Sequence, residues 1–200
     1  MSPNNTCPKI LMFAGPNGSG KSTVTKGSPI VGLYVNADAI KLERGCSDLE
    51  AAQIAEAIRE RLLKAKMDFT FETVLSTERN LDLLRRAKDI GYTICAVFVL
   101  TCDSSINVER VSARAKAGGH DVPKNKIVSR YDRSLANVAA LARIADMLRI
   151  VDNSHKEPKL ICEVNHGMAE VWASEDWTKE RILQLLSMHQ PIQREMSNNP

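Results

Sequence analysis

A chain of 200 residues and 22.1 kDa has room for one domain, or one domain with a small appendage. Its 44% hydrophobic and 26% charged residues exclude disorder, collagen and coiled coil as overall descriptions, and its longest apolar stretch, Ile94 to Leu100, is far below the ~20 residues that span a bilayer. The net charge is only +3 and aromatics are 4%, so neither phosphate neutralisation nor base stacking points to a nucleic-acid partner.

Residues 1–8 are polar, with neither a basic cluster nor an apolar core, and read as a disordered lead-in without a secretory signal. The five cysteines (Cys7, Cys46, Cys95, Cys102, Cys162) form no C-x-x-C pair, so a disulfide framework is not expected and a reducing cytoplasm is the expected compartment. Lys9 to Ala14 is a short apolar run ending in a glycine-rich turn, as in a buried parallel strand. A short helix starts near Lys21 and is stopped by Gly27, Ser28 and Pro29; Leu33 to Val35 is a second strand. Asp48 caps a helix from about Leu49 to Lys66, whose Ile54, Ala55, Ile58, Leu62 and Ala65 recur at helical spacing. Phe69 to Leu75 is a third strand, and Thr77 caps a helix that Gly91 ends.

Tyr92 to Leu100 is the most strand-like segment, rich in Val, Ile and Phe. A basic helix runs from Ser104 or Ser105 to about Ala117, Gly118-Gly119 breaks it, and Pro123 opens a further helix to about Ala145. Met147 to Val151 is a fifth strand, Leu160 to Val164 a weaker one, and Asp176 caps a last helix from Trp177 to Met188. This alternation predicts an α/β fold: a mostly parallel sheet of about five or six strands with helices on both faces. In such sheets ligands bind beyond the carboxyl ends of the strands.

Gly15-Pro16-Asn17-Gly18-Ser19-Gly20-Lys21-Ser22 matches the G-x-x-x-x-G-K-[ST] pattern in full, between a strand and a helix. Glycines let consecutive backbone N–H groups turn inward into a concave anion nest, and the helix start adds partial positive charge. Lys21 can reach the β- and γ-phosphates and the Ser22 hydroxyl can ligate Mg²⁺, with Thr23 following in the same turn. The expected ligands are therefore a nucleoside triphosphate and Mg²⁺, in a three-layer P-loop NTPase fold spanning 9–190, with a polar tail over 191–200.

The second strand ends in Val35-Asn36-Ala37-Asp38. Asp38 reads either as a base that takes a proton from an acceptor hydroxyl or as a turn or cap residue, and Asn36 as a turn residue. In Phe69-Thr70-Phe71-Glu72-Thr73, Glu72 shares a face with Thr70, and an acid among apolar neighbours must be paired or hydrated. Arg110 and Arg114 are four apart, and Arg130 and Arg133 three apart, each pair on one helix face. The two helices flank Gly118-Gly119-His120-Asp121-Val122-Pro123 and make a lid over about 104–135 that brings guanidinium groups to the transferring phosphate.

These motifs, in this order, resemble the zeta-toxin-like P-loop kinases: the phosphate loop, Asn36-Ala37-Asp38, Phe71-Glu72-Thr73-Val74-Leu75-Ser76, Gly91-Tyr92, the Gly118–Pro123 segment and Arg130-Tyr131-Asp132-Arg133-Ser134-Leu135. The resemblance covers roughly residues 9–154. It implies an ATP-dependent phosphotransferase acting on a small-molecule hydroxyl, in zeta toxins a sugar hydroxyl of UDP-N-acetylglucosamine. It implies Asp38 as general base, Glu72, Thr73 and His120 on the acceptor side, the later arginines as phosphate clamps and Asn153 beside the adenine. An antitoxin-like inhibitor protein joins the nucleotide and the acceptor among the expected partners. Two departures bear on the acceptor: Glu72-Thr73 stands where the sugar-nucleotide kinases carry Glu-Gly, and Gly118–Pro123 replaces an arginine-containing segment. The alternative class is a regulatory P-loop NTPase without a small-molecule acceptor. An ABC-type ATPase is excluded, because no Leu-Ser-Gly-Gly-Gln-type segment is present.

Overall fold

The computed structural model describes residues 7–119 and 122–187. Most of the expected lead-in, the whole polar tail, His120 and Met188 lie outside the described residues.

Met12 and Phe13 are adjacent in the first strand and both fully buried. Successive strand residues point to opposite faces, so this strand is covered on both sides. It is β1 (Lys9–Ala14), at the middle of a sheet with β2 (Leu33–Val35), β3 (Phe69–Thr73), β4 (Thr93–Leu100), β5 (Met147–Asp152), β6 (Lys159–Asn165) and β7 (Met168–Val171), in the order β2-β3-β1-β4-β5-β6-β7. The first five strands pair in parallel; β6 and β7 add an antiparallel edge. The chain leaves β1 toward β2 and β3 on one side and reaches β4 and β5 on the other, so the crevice at the carboxyl end of β1 is where this class binds ligands.

The helices are α1 (Lys21–Lys26), α2 (Ala37–Arg44), α3 (Asp48–Lys64), α4 (Arg79–Asp89), α5 (Ser104–Lys116), α6 (Lys124–Ala136), α7 (Val138–Ile144) and α8 (Lys179–Ser187). One large core runs from Leu62 and Phe69 through Leu84, Ile94 and Phe98 to Leu148 and Trp177. A separate small cluster of Val111, Val122 and Ile127, with Val108 against it, joins α5 to α6. That pair therefore carries its own apolar contact above the sheet, in the region expected to form the lid.

Several expectations are corrected. The sheet has seven strands, not five or six: the last turn passes through His166 (φ 46°) and Gly167 (φ 82°) into β7, whose exposed residues give no core pattern. Helix α2 went unpredicted because it buries no residue fully and sets only Ala37 and Ile40 against the core, too short an apolar stripe to read. The helix over 123–145 is two helices, with Pro123 in front of the first rather than inside it. They part at Asn137, whose side chain donates to the Leu75 carbonyl (2.9 Å). β3 ends at Thr73, because Leu75 turns to φ 56°. No side chain caps α4, so Thr77 has no such role. Asp176 does not cap α8; its carboxylate meets His155 Nε2 at 2.6 Å, and Trp177 is buried in the core.

Ser47, not Asp48, caps α3. Its hydroxyl accepts from the Glu50 amide (3.3 Å) and the Glu50 carboxylate accepts from the Ser47 amide (2.9 Å), a reciprocal capping box. Ser47→Ala is expected to lower stability by about 1 kcal/mol and Ser47→Asp to restore most of it, read from urea unfolding midpoints.

Candidate active site

The phosphate loop is set by what it touches on its outer side. A Cβ on Gly15 would lie 2.0 Å from the Val99 carbonyl oxygen, and one on Gly20 (φ +92°) would lie 2.1 Å from Asn153 Nδ2. Only glycine fits both the space and the left-handed backbone at these points. Gly15 N donates to the Thr73 carbonyl (3.2 Å), Asn107 Nδ2 to the Asn17 carbonyl (2.6 Å) and Asn153 Nδ2 to the Ser19 carbonyl (2.7 Å). The loop is thus tied to β3, α5 and the segment after β5. Lys21 Nζ donates to the carbonyls of Gly15 (2.7 Å) and Pro16 (3.0 Å). Burial lowers its pKa to about 8, against the pull of Glu72 and Asp38 and with the push of Arg114.

The β2–β3 side of the crevice meets the loop through a chain of hydrogen bonds. Ser22 Oγ donates to Glu72 Oε2 (3.3 Å), and Tyr34 Oη donates to Glu72 Oε1 (2.5 Å). Burial first, and this bond second, push the Tyr34 phenol up to about 12. Asn36 Nδ2 donates to Tyr34 Oη (2.9 Å), while Asn36 Oδ1 accepts from the amides of Asp38 (2.8 Å) and Ala39 (3.2 Å). Asn36 is therefore the cap of α2 rather than a mere turn residue. The cap alternative for Asp38 falls to its neighbour: Asp38 sits in the first helical turn, close enough to Lys21 for its charge to hold the ammonium protonated.

The four arginines divide. Arg114 lies where its charge acts on Lys21. Arg130 Nη1 reaches Asn17 Oδ1 at a long 3.4 Å, at the lip of the loop. Arg110 instead donates to the backbone carbonyls of Asn153 (2.7 Å) and Ser154 (3.2 Å), bracing the segment that holds Ser19. Arg133 is exposed and its Nε donates to the Ser129 carbonyl of its own helix (3.1 Å), so the structure does not bring it to the loop. The Asn153 carboxamide is spent on the loop rather than held out to a base. Thr73 Oγ1 accepts from the Leu75 amide (3.0 Å) and from Asn80 Nδ2 (2.8 Å), which builds the turn after β3. Sequence reasoning missed Tyr34, Asn107 and Asn80. Tyr34 was within reach of it, being two residues from Asn36 at a strand end; the other two sit on helices with no motif around them.

The residues fit a nucleotide polyphosphate with a hard divalent ion. No side chain caps the N-terminus of α1, whose partial positive charge suits an anion. The exposed Ser22 hydroxyl beside a carboxylate offers the oxygen donors that Mg²⁺ takes. Among the described residues no cluster of three His, Cys, Asp or Glu side chains could hold a metal.

The Zeta toxin family model matches residues 45–162, more than half of the chain. The chain belongs to the Zeta toxin family. The phosphate loop of this zeta-toxin family member lies upstream of the matched stretch. An uncharacterized protein of Haemophilus influenzae is 26% identical over 129 residues, covering 62% of this chain and 92% of that protein. Among solved structures, AvrRxo1-ORF1:-ORF2 with ATP superposes with a TM-score of 0.66 at 18% identity, over 94% of this chain and 66% of that one. The PezAT chromosomal toxin–antitoxin system of Streptococcus pneumoniae gives a TM-score of 0.52 at 14% identity, over 93% and 91% of the two chains. At these identities the likeness is one of fold, and the chain spans just under two thirds of the AvrRxo1 structure. Among the described residues no helix is long and apolar enough to cross a membrane, and all five cysteines are free.

Asn153→Ala removes the donor to Ser19 and opens space beside Gly20. It is expected to cost about 1–2 kcal/mol in unfolding and, because the loop carbonyl is then free to rotate, to weaken ATP binding about tenfold or more by calorimetry.

Proposed function

We propose that this zeta-toxin family member moves the γ-phosphoryl group of ATP to a hydroxyl of a small molecule, with a sugar nucleotide such as UDP-N-acetylglucosamine as the leading acceptor. The observation that carries the reading is the placement of Asp38 in the first turn of α2, within charge range of Lys21 in the phosphate loop. The sugar-nucleotide acceptor rests on family membership.

In this reading the loop amides and Lys21 hold the β- and γ-phosphates. Ser22 would ligate Mg²⁺, which screens charge on the phosphate oxygens. The acceptor hydroxyl lies between Asp38 and the γ-phosphorus. As its oxygen bonds to phosphorus and the bond to the β-phosphate oxygen breaks, Asp38 takes the hydroxyl proton and ADP leaves. Arg114 and Arg130 are the proposed clamps on the transferring group, carried by α5 and α6 as a lid; Arg110 holds the wall instead. Glu72 lines the acceptor side. A protein inhibitor that covers this crevice is a proposed partner, since the pneumococcal relative in fold is part of a toxin–antitoxin system.

The test is mass spectrometry of a metabolite pool, with UDP-N-acetylglucosamine included, after incubation with ATP and Mg²⁺. A phosphorylated product is expected. Asp38→Asn should lower its rate by about 10²–10⁴ and Lys21→Ala by about 10² or more, with unfolding midpoints preserved. Phosphate release with no phosphorylated acceptor sinks the kinase reading and leaves the regulatory NTPase.

A second expectation concerns pH. The free Lys21 ammonium loses its proton as pH rises through about 8, whereas bound phosphates raise its pKa. Nucleotide binding above that pH therefore takes up a proton, and affinity falls by up to about tenfold per pH unit. Calorimetry in buffers of different ionisation enthalpy reads the uptake, and Lys21→Met should abolish it.

A further inference from the structure

Tyr34 occupies an edge strand of three residues and is 37% exposed. Packing gives little reason for a tyrosine there, and none for its hydroxyl. Yet that hydroxyl sits at the middle of a hydrogen-bonded chain whose direction is forced at every link. Two backbone amides, of Asp38 and Ala39, fix Asn36 Oδ1 as the acceptor end of its carboxamide. Asn36 Nδ2 must then donate, and it does so to Tyr34 Oη at 2.9 Å. With its lone pair taken, Tyr34 gives its single proton to Glu72 Oε1 at 2.5 Å. The second oxygen of Glu72 accepts from Ser22 Oγ at 3.3 Å. The chain of bonds begins at the helix start that carries Asp38 and ends in the phosphate loop. It crosses α2, β2, β3 and α1.

The strand register makes this reach possible. Tyr34 pairs with Thr70, so Glu72 is the diagonal neighbour on the same face, at a distance a tyrosine spans.

We propose that Tyr34 is a positioning residue. It holds Glu72 so that the Ser22 proton points to the carboxylate and the serine oxygen presents its lone pairs to the phosphate side, and through Asn36 it ties the start of α2, and with it Asp38, to the same network. The role in turnover rests on the kinase reading above; the mechanical link does not.

The test is Tyr34→Phe, which keeps the ring and removes the link. In ligand-free protein, amide hydrogen exchange at Asp38 and Ala39 should quicken by about tenfold or more, while exchange in β1 and β4 stays at the wild-type rate. Under turnover at saturating Mg²⁺ kcat should fall about tenfold or more with the KM for ATP held within about twofold, because the loop amides and Lys21 keep their grip on phosphate. Calorimetric ATP binding should need a several-fold higher Mg²⁺ concentration for half-saturation.

Unchanged exchange at Asp38 and Ala39 overturns the proposal, and so does an even rise across β1 and β4, which would mark a residue that merely stabilises the fold. If the wild-type protein phosphorylates nothing, the kinase reading falls by itself, and the exchange experiment still reads the link without any substrate.

Discussion

The structure depends on how the carbonyl groups of the phosphate loop are occupied. A tight loop exposes both its amides and its carbonyls, and an anion is welcome only if the carbonyls face elsewhere. Here Lys21 takes the oxygens of Gly15 and Pro16, Asn107 that of Asn17, and Asn153 that of Ser19. Each donor comes from a different element. The sheet order makes this possible, because β1 lies between β3 and β4, with β5 one strand further. Loop chemistry and strand order are therefore linked: with the strands in another order, the Asn17 and Ser19 carbonyls would lose Asn107 and Asn153.

The proposed acceptor side, at β2, obeys the same logic from the other edge. β2 is short and adds only Val35 to the core, leaving Leu33 about half open and Tyr34 partly so. Its use is positional. It delivers Tyr34 and Asn36 to the carboxyl ends of the strands, and Asn36 starts the helix that bears Asp38. A segment that buries so little has weak local stability and is free to answer to a ligand. The main core, by contrast, lies under α4 and α7 and never includes the loop.

What the sequence disclosed follows from which signals are local. The loop was legible because its physics is contained in eight consecutive residues. β1 and β4 were legible because a buried parallel strand is a continuous apolar run. Helix α2 was not, because it only half-buries Ala37 and Ile40 against the core and its cap, Asn36, is also good turn chemistry. The arginines were legible as a group but not singly. Spacing of four residues put Arg110 and Arg114 on one face of α5, but it says nothing of where along the crevice each lies; one turn separates a brace on Asn153 from a charge beside Lys21. For Arg130 and Arg133 the three-residue spacing overstated the likeness, since only the first faces the loop. Asn107 and Asn153 act through contacts across about ninety and more than a hundred residues of chain, which no motif encodes.

The Glu72-Thr73 departure from the Glu-Gly of the sugar-nucleotide kinases has a local account. Consecutive strand residues face opposite ways, so Thr73 does not share the face on which Glu72 meets Tyr34 and Ser22. Its hydroxyl turns back to accept from the Leu75 amide and from Asn80, which closes the turn after β3. The backbone carbonyl of the same residue receives the Gly15 amide at the mouth of the loop. Thr73 therefore shapes the site through its main chain and stabilises its own turn through its side chain. A threonine at this position adds no bulk to the face carrying Glu72. In the proposed reading, discrimination on this side of the loop therefore falls to the face that carries Glu72 and Tyr34, not to the Thr73 side chain.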